Sequence, residues 1–163
     1  MKNSNNKNLI CKGINSAFAL LESNRFNIIN IYVLIGGRAD KENRLKDLKN
    51  KYSVSHLNKD QFYRKFSKGR TQGIVVEFSG KLFDNILPDF NEASDVCFLA
   101  LDQVEDPQNF GQIIRTADCA GVDGIIFPQH NSAPITQTVL QVSQGAFVNM
   151  PLYQLTNLSL GIN

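Results

Sequence analysis

An asparagine, a glycine and an arginine stand at an unusual spacing in the segment D-P-Q-N-F-G-Q-I-I-R-T-A-D-C-A-G, residues 106–121. Asn109, Gly111 and Arg115 take positions at which an ordinary surface helix carries Glu, Ala and Lys. An arginine offers a planar, permanently charged group that suits a phosphate. A glycine removes a side chain, so that another backbone or a substrate can approach closely. The spacing therefore indicates a site for a phosphate-bearing ligand.

Each of these residues also has an ordinary structural explanation. Asn109 can either hold the entry loop or hydrogen-bond a ligand, Gly111 can permit tight packing, and Arg115 can be a solvated surface residue. The functional explanation gains weight because the three follow the apolar run Val96 to Leu101, which is typical of a buried parallel strand. In open parallel sheets, ligands bind outside the carboxyl ends of the strands.

The helix that carries these residues has clear start and stop signals. Asp106 can cap its first turn, Pro107 suits the first helical position, and Gly121 suits the end. The spacing assigns Phe110, Ile113, Ile114, Ala117 and Gly121 to the buried face. It assigns Gln108, Gly111, Gln112, Arg115 and Asp118 to the opposite face.

The remaining pattern predicts two α/β domains joined by a linker at residues 81–95, where Gly80 and Pro88 interrupt the apolar periodicity and the charge changes sign. Residues 8–80 are predicted to form a small α/β sandwich, with helices at 12–23, 40–51 and 59–66 and strands at 27–35, 53–57 and 73–78. Residues 96–163 are predicted to form a parallel sheet, with strands at 96–101, 124–127 and 151–155 and helices from 106 and at 135–145.

Charge is divided unevenly between the two halves. Residues 1–80 carry 15 basic and 6 acidic residues, a net charge of +9, and residues 81–163 carry 2 basic and 9 acidic, a net charge of −7. A basic half attracts nucleic acid because neutralised phosphates release counterions, although a solvated basic surface gives the same count. No apolar run reaches the roughly 20 residues of a membrane helix. Three widely spaced cysteines and two histidines do not favour a metal site, so we expect a soluble, cytoplasmic protein with reduced thiols and no metal.

The segment at residues 106–121 resembles the first motif of the SpoU (TrmH) family of RNA ribose 2′-O-methyltransferases. The family pattern Asn-x-Gly-x-x-x-Arg-Thr/Ser-Ala, followed by Ala-x-Gly, is kept through Asn109, Gly111, Arg115, Thr116, Ala117, Ala120 and Gly121. Three other stretches resemble family segments: K-G-I-N-S-A-F-A-L-L-E near the start, T-Q-G-I-V-V with Thr71 in place of the usual His, and S-Q-G-A-F-V-N-M-P-L-Y. The resemblance spans nearly the whole chain.

The resemblance implies a fold, an activity and a set of site residues. Residues 8–80 would be an RNA substrate-binding domain similar to an RNA-binding ribosomal protein. Residues 96–163 would be the first part of a knotted, Rossmann-like SPOUT sheet. The implied activity is S-adenosylmethionine-dependent 2′-O-methylation of a ribose, a guanosine in large-subunit ribosomal RNA, by a homodimer. Asn109 and Arg115 would line the active site, where the resemblance implies that Arg115 helps to activate the 2′-hydroxyl. Because a free arginine is effectively never deprotonated, we expect Arg115 instead to orient the substrate phosphate and to stabilise the developing 2′-alkoxide. Candidate RNA contacts are Lys12, Arg38, Lys68 and Arg70.

The family pattern continues beyond the last residues of this sequence, N-L-S-L-G-I-N. The segments that hold S-adenosylmethionine and form the knot have no counterpart here. We therefore expect this chain to be truncated, to have no residues that bind the cofactor, and to form the homodimer poorly.

Two alternatives remain open on the sequence. The chain can be a non-catalytic RNA-binding module or gene fragment, which donor binding would distinguish from an enzyme. It can also be an unrelated Rossmann-like ligand-binding protein, although no G-x-G-x-x-G occurs in it.

Overall fold

The computed structural model describes residues 8–66, 71–89 and 95–158. The chain divides into two compact units, Met1–Gly80 and Lys81–Asn163. The change of charge sign in the sequence falls at the same position.

The first unit is a mixed four-stranded sheet with helices packed on it. In chain order, its described elements are β1 (Leu9–Lys12), α1 (Ile14–Glu22), β2 (Asn27–Leu34), α2 (Asn43–Leu48), β3 (Val54–Leu57), α3 (Lys59–Phe66) and β4 (Ile74–Ser79). The strand order is β1-β4-β2-β3, in which β4 runs antiparallel to β1 and β2, and β3 runs parallel to β2. Helix α1 packs against β1 and β4, and α3 packs against β2 and β3.

Alternating side chains of the central strands form the core of the first unit. Phe62 and Phe66 of α3 pack with Val75, Tyr32 and neighbouring apolar side chains. The residues that alternate with Val75 and Tyr32 along β4 and β2 must point to the other side of the sheet. These residues are fully buried and comprise Ile31, Val33, Ile74 and Val76.

Two parts of the first unit differ from the sequence prediction. Strand β1 was not predicted; its four residues have little periodicity of their own and are held by pairing with β4, where Leu9 is opposite Phe78. The predicted helix at 40–51 is shorter, because Glu42 is extended (ψ 123) and separates a 3-10 turn at Ala39–Lys41 from α2. The predicted helix at 59–66 is confirmed.

The second unit is a parallel three-stranded sheet with two α-helices. Its described elements are β5 (Phe98–Ala100), α4 (Pro107–Ala120), β6 (Gly124–Pro128), α5 (Gln137–Val142), a 3-10 turn (Ala146–Val148) and β7 (Leu152–Leu155). The strand order is β5-β6-β7, and all pairs are parallel, as predicted. The central strand β6 is buried at all five positions. A continuous apolar strand is stable there because it is covered on both faces.

Part of the segment predicted to be a linker belongs to the second unit. Asp84 pairs with Tyr153 of β7, and the Asp84 N–H donates to the Leu152 carbonyl at 2.9 Å. The Phe83 ring lies edge-on to Phe127, with 5.8 Å between the ring centroids. The outer edge of β7 is thereby covered at this point.

Among the described residues, no helix is long and apolar enough to cross a membrane.

Candidate functional site

Helix α4 begins and ends as the sequence predicts. The Asp106 side chain accepts a hydrogen bond from the Gln108 N–H at 2.9 Å, and Pro107 occupies the first turn. Gly121 ends the helix in the left-handed conformation (φ 73). These signals set the two ends of α4. Its rotation on the sheet follows from packing, because Phe110 lies edge-on against Phe127 with 5.1 Å between ring centroids.

An open groove of about 690 Å³ runs along one side of α4. Its apolar lining comes from Leu99, Val104, Ile113, Ala117, Ala120 and Val122. Its polar lining comes from Gln103, Glu105, Asn109, Gln112 and Thr116. The sequence pattern selected Asn109 but did not identify the groove. The signal that could have identified it is the spacing of residues 109, 112, 113, 116 and 120, which share one helical face.

Arg115 leaves α4 in a different direction from Asn109. Six residues of an α-helix correspond to an angular separation of about 120° around its axis, and Arg115 is not part of the groove lining. Its side chain is exposed and makes no hydrogen bond or ion pair with any described residue. Lys81, the other basic residue of the second unit, is paired with Asp84. Arg115 is therefore an unpaired cation on an acidic unit and is available to an external anion.

Gly111 and Ile113 do not lie where the face assignment from the sequence put them. Gly111 is buried against α5: a Cβ at this position would lie 2.7 Å from Val142 Cβ and 3.0 Å from the Val139 carbonyl oxygen. Close approach of another backbone is therefore the explanation of this glycine that the structure supports. Ile113 is half-buried and lines the groove instead of the core. The assignment failed because α5 covers a flank of α4 that spacing alone left open.

The basic candidates of the first unit are only partly within the described residues. Lys12 ends β1 and Arg38 follows the turn after β2. Lys68 and Arg70 lie outside the described residues. Thr71 is buried, and the side chain of its neighbour Gln72 accepts a hydrogen bond from the Ile14 N–H at 2.8 Å.

Comparison with known proteins decides the family. A model described as the SpoU rRNA Methylase family matches residues 97–163. The 23S rRNA (guanosine-2′-O-)-methyltransferase RlmB of Vibrio vulnificus is 36% identical over 156 residues, covering 90% of this chain and 62% of the relative. The chain contains a domain of the SpoU rRNA methylase family, at residues 97–163. It spans less than two thirds of the length of this relative.

Solved structures of SpoU-type proteins show that the fold is shared. An S-adenosylmethionine-bound rRNA methyltransferase from Sinorhizobium meliloti has a TM-score of 0.69 and 22% identity, covering 91% of this chain and 54% of that chain. The SpoU methyltransferase AviRb from Streptomyces viridochromogenes, in complex with the same cofactor, has a TM-score of 0.68 and 16% identity, covering 95% of this chain and 58% of that chain. Both units of the chain are therefore similar in fold to SpoU methyltransferases.

The groove along α4 matches S-adenosylmethionine only in part: its amide and hydroxyl side chains can hydrogen-bond a ligand, but it carries little charge. The amino-acid end of that molecule carries a carboxylate and an ammonium, which need charged or hydrogen-bonding partners once they leave water. The groove contains a single charged side chain, Glu105, and no cation that could pair with the carboxylate. No group of described His, Cys, Asp or Glu residues has a metal-binding arrangement.

Proposed function

We propose that this chain belongs to an S-adenosylmethionine-dependent ribose 2′-O-methyltransferase that acts on a guanosine of large-subunit ribosomal RNA. The observation that carries the proposal is the unpaired Arg115 on α4, within a family motif whose helix, cap and stop are all formed. The 36% identity to an RlmB over 90% of the chain supports the substrate class. S-adenosylmethionine would supply the methyl group.

The chemistry available to this chain is electrostatic and positional. A guanidinium remains charged at any relevant pH, so Arg115 is unsuited to removing the proton of a 2′-hydroxyl. It can instead hold a neighbouring phosphate and stabilise negative charge as it develops on the 2′-oxygen. Asn109 at the groove can donate or accept a hydrogen bond and so orient a base or ribose placed there. Both side chains are exposed and need no rearrangement to meet a ligand.

A chimera tests the proposal. Residues 1–163 would be joined to the part of the Vibrio vulnificus relative that the match does not cover, and incubated with S-adenosylmethionine and a 23S ribosomal RNA fragment. Nucleoside mass spectrometry should then detect 2′-O-methylguanosine. Methylation of a base instead of a ribose, or no transfer by a chimera that folds and binds the RNA, would contradict the proposal.

The second candidate function is RNA binding without catalysis by this chain. The observation that favours it is the groove, whose lining contains no cation to pair with the carboxylate of the methyl donor. Calorimetric titration of the 163-residue chain with S-adenosylmethionine distinguishes the two. Micromolar affinity would exclude a purely RNA-binding role, whereas RNA binding without donor binding is expected if this second function is correct.

A further inference from the structure

The carboxyl ends of β1, β2 and β3 and the start of β4 meet at one end of the first unit's sheet. The register places Lys12 opposite Val75, Val33 opposite Ile74, and Leu34 beside Leu57. This arrangement brings the residues that follow each strand to the same end of the sheet. We call this surface the β4-entry end and define it by Lys12, Arg38, Lys59 and the backbone of Gln72–Gly73.

The β4-entry end is held together by hydrogen bonds between its loops. Gly13 N–H donates to the Ile74 carbonyl at 3.3 Å, and Leu34 N–H donates to the Gly73 carbonyl at 2.9 Å. The Gly36 N–H donates to the Asp40 carboxylate at 3.0 Å. Gly73 has a positive φ of 82, and a Cβ at this position would lie 3.7 Å from the backbone nitrogen of Arg38, so the two loops are in contact. The surface is therefore ordered before any ligand arrives, which lowers the entropic cost of binding.

Three cations of this surface have no partner within the described part of the chain. The side chains of Lys12, Arg38 and Lys59 make no hydrogen bond, ion pair or ring contact there. By contrast, Arg44 pairs with Glu22 and Glu42 and lies over the Phe18 ring, and Lys51 is bonded to Asn24. Cations without an internal partner are the ones that can neutralise external phosphates.

The geometry of the β4-entry end fits an extended anion. Lys12 ends β1 and Lys59 follows β3, and these two edge strands are separated by three strand spacings, about 14 Å. Arg38 is in the loop that follows β2, a strand that lies between these two in the sheet. The neighbouring acidic residue, Asp40, does not pair with Arg38. Its carboxylate accepts a hydrogen bond from the Gly36 N–H and lies 3.5 Å from His56 Nε2. Ile35, 58% exposed, adds an apolar contact beside the cations.

We propose that the β4-entry end is the surface on which the first unit holds the phosphate backbone of RNA. Three cations at the ends of three strands of one sheet can contact several phosphates of one RNA strand, while the hydrogen bonds between the loops hold the backbone that carries them. This inference rests on the proposed function for its choice of polyanion. It goes further by selecting one surface from a unit whose basic residues are widely distributed.

Two triple variants of the full chain with the same loss of charge test this inference. In the first, Lys12, Arg38 and Lys59 become Gln. In the control, Lys46, Lys49 and Arg64 become Gln; these cations also have no described partner but do not belong to the β4-entry end. Binding of a fluorescein-labelled RNA stem-loop would be measured by anisotropy over a range of salt concentrations, with circular dichroism melts to verify folding.

The first variant should make the negative slope of log affinity against log salt shallower by about two to three units. Each lost phosphate contact reduces the size of this slope by about 0.7 to 0.9. The control should change the slope by less than about one unit. Equal slopes in the two variants would show that only net charge matters and would overturn this inference while leaving the proposed function intact. Failure of the unsubstituted chain to bind RNA at low salt would overturn both. If the triple variant is unfolded, Arg38→Gln is compared with the single control Arg64→Gln: the first should reduce the size of the slope by about 0.7 to 0.9 and the second should leave it unchanged.

Discussion

Gly111 of α4 and Val142 of α5 are in direct contact, and a Cβ at position 111 would lie 2.7 Å from Val142 Cβ. A second obstacle is the Val139 carbonyl oxygen, at 3.0 Å. This contact sets how closely the two helices of the second unit approach, and it leaves the groove on another side of α4.

Gly111→Ala should therefore destabilise the chain, although alanine is the better helix former by about 1 kcal/mol. Overpacking a tight interface costs about 1 to 3 kcal/mol, and we expect this term to prevail. Denaturant unfolding would measure the change. Repeating Gly111→Ala in a Val142→Gly background should reduce its cost by the part due to Val142, since the Val139 carbonyl oxygen remains. An equal cost in both backgrounds would show that Val142 is not an obstacle.

Arg115→Ala should separate stability from function. The side chain has no described partner, so the free energy of unfolding should change by no more than about 0.5 kcal/mol. Methyl transfer by the chimera should fall by about 10²- to 10³-fold if the guanidinium stabilises developing charge. Arg115→Lys keeps the charge but loses the planar fork, and should be intermediate. A large fall in melting temperature with transfer retained would mean that Arg115 is structural.

Gln72→Ala should weaken the first unit by about 1 kcal/mol, the usual effect of losing a helix-capping acceptor. The Gln72 side chain accepts from the Ile14 N–H at 2.8 Å and so caps α1 from 58 positions away in sequence. Gln72→Glu is the matched control, because it keeps an acceptor and adds negative charge at a helix start. Thermal unfolding of both variants checks this; equal losses would exclude a capping role.

Cys11 should be unreactive in the folded chain. Burial raises the pKa of its thiol to about 12, because the thiolate loses its hydration inside the sheet. Iodoacetamide should label the exposed Cys97 and Cys119 under native conditions, and Cys11 only after unfolding. Rapid native labelling of Cys11, mapped by peptide mass spectrometry, would contradict the buried assignment.

The same thiol predicts how stability depends on pH. The folded pKa lies above the unfolded value of about 8.5, so the folded state keeps its proton longer as pH rises. The contribution is complete below about pH 8.5 and is lost toward pH 12, with a slope of about 1.4 kcal/mol per pH unit. The free energy of unfolding would be measured at about pH 7.5 and about pH 10. It should fall less between these two values in Cys11→Ala, which lacks the titrating group, than in the unsubstituted chain.

Local signals in the sequence determined helix α4 and the alternation of elements around it. Asp106, Pro107 and Gly121 act within a few residues of their own position, so their effect is readable without the fold. The same is true of the apolar runs that became β5, β6 and β7. Asn109 and Arg115 were selected by residue type and spacing, and their roles remain predictions.

Tertiary structure decided which flank of α4 is covered and which is open. Gly111 is buried and Ile113 lines the groove because α5 packs on one side of the helix, a contact between residues some thirty positions apart. Strand β1 likewise exists through pairing between Leu9 and Phe78. The free cations at the β4-entry end are brought together from three separate segments. The positions of such residues depend on packing between segments that are distant in sequence, and a local sequence pattern contains no information about that packing.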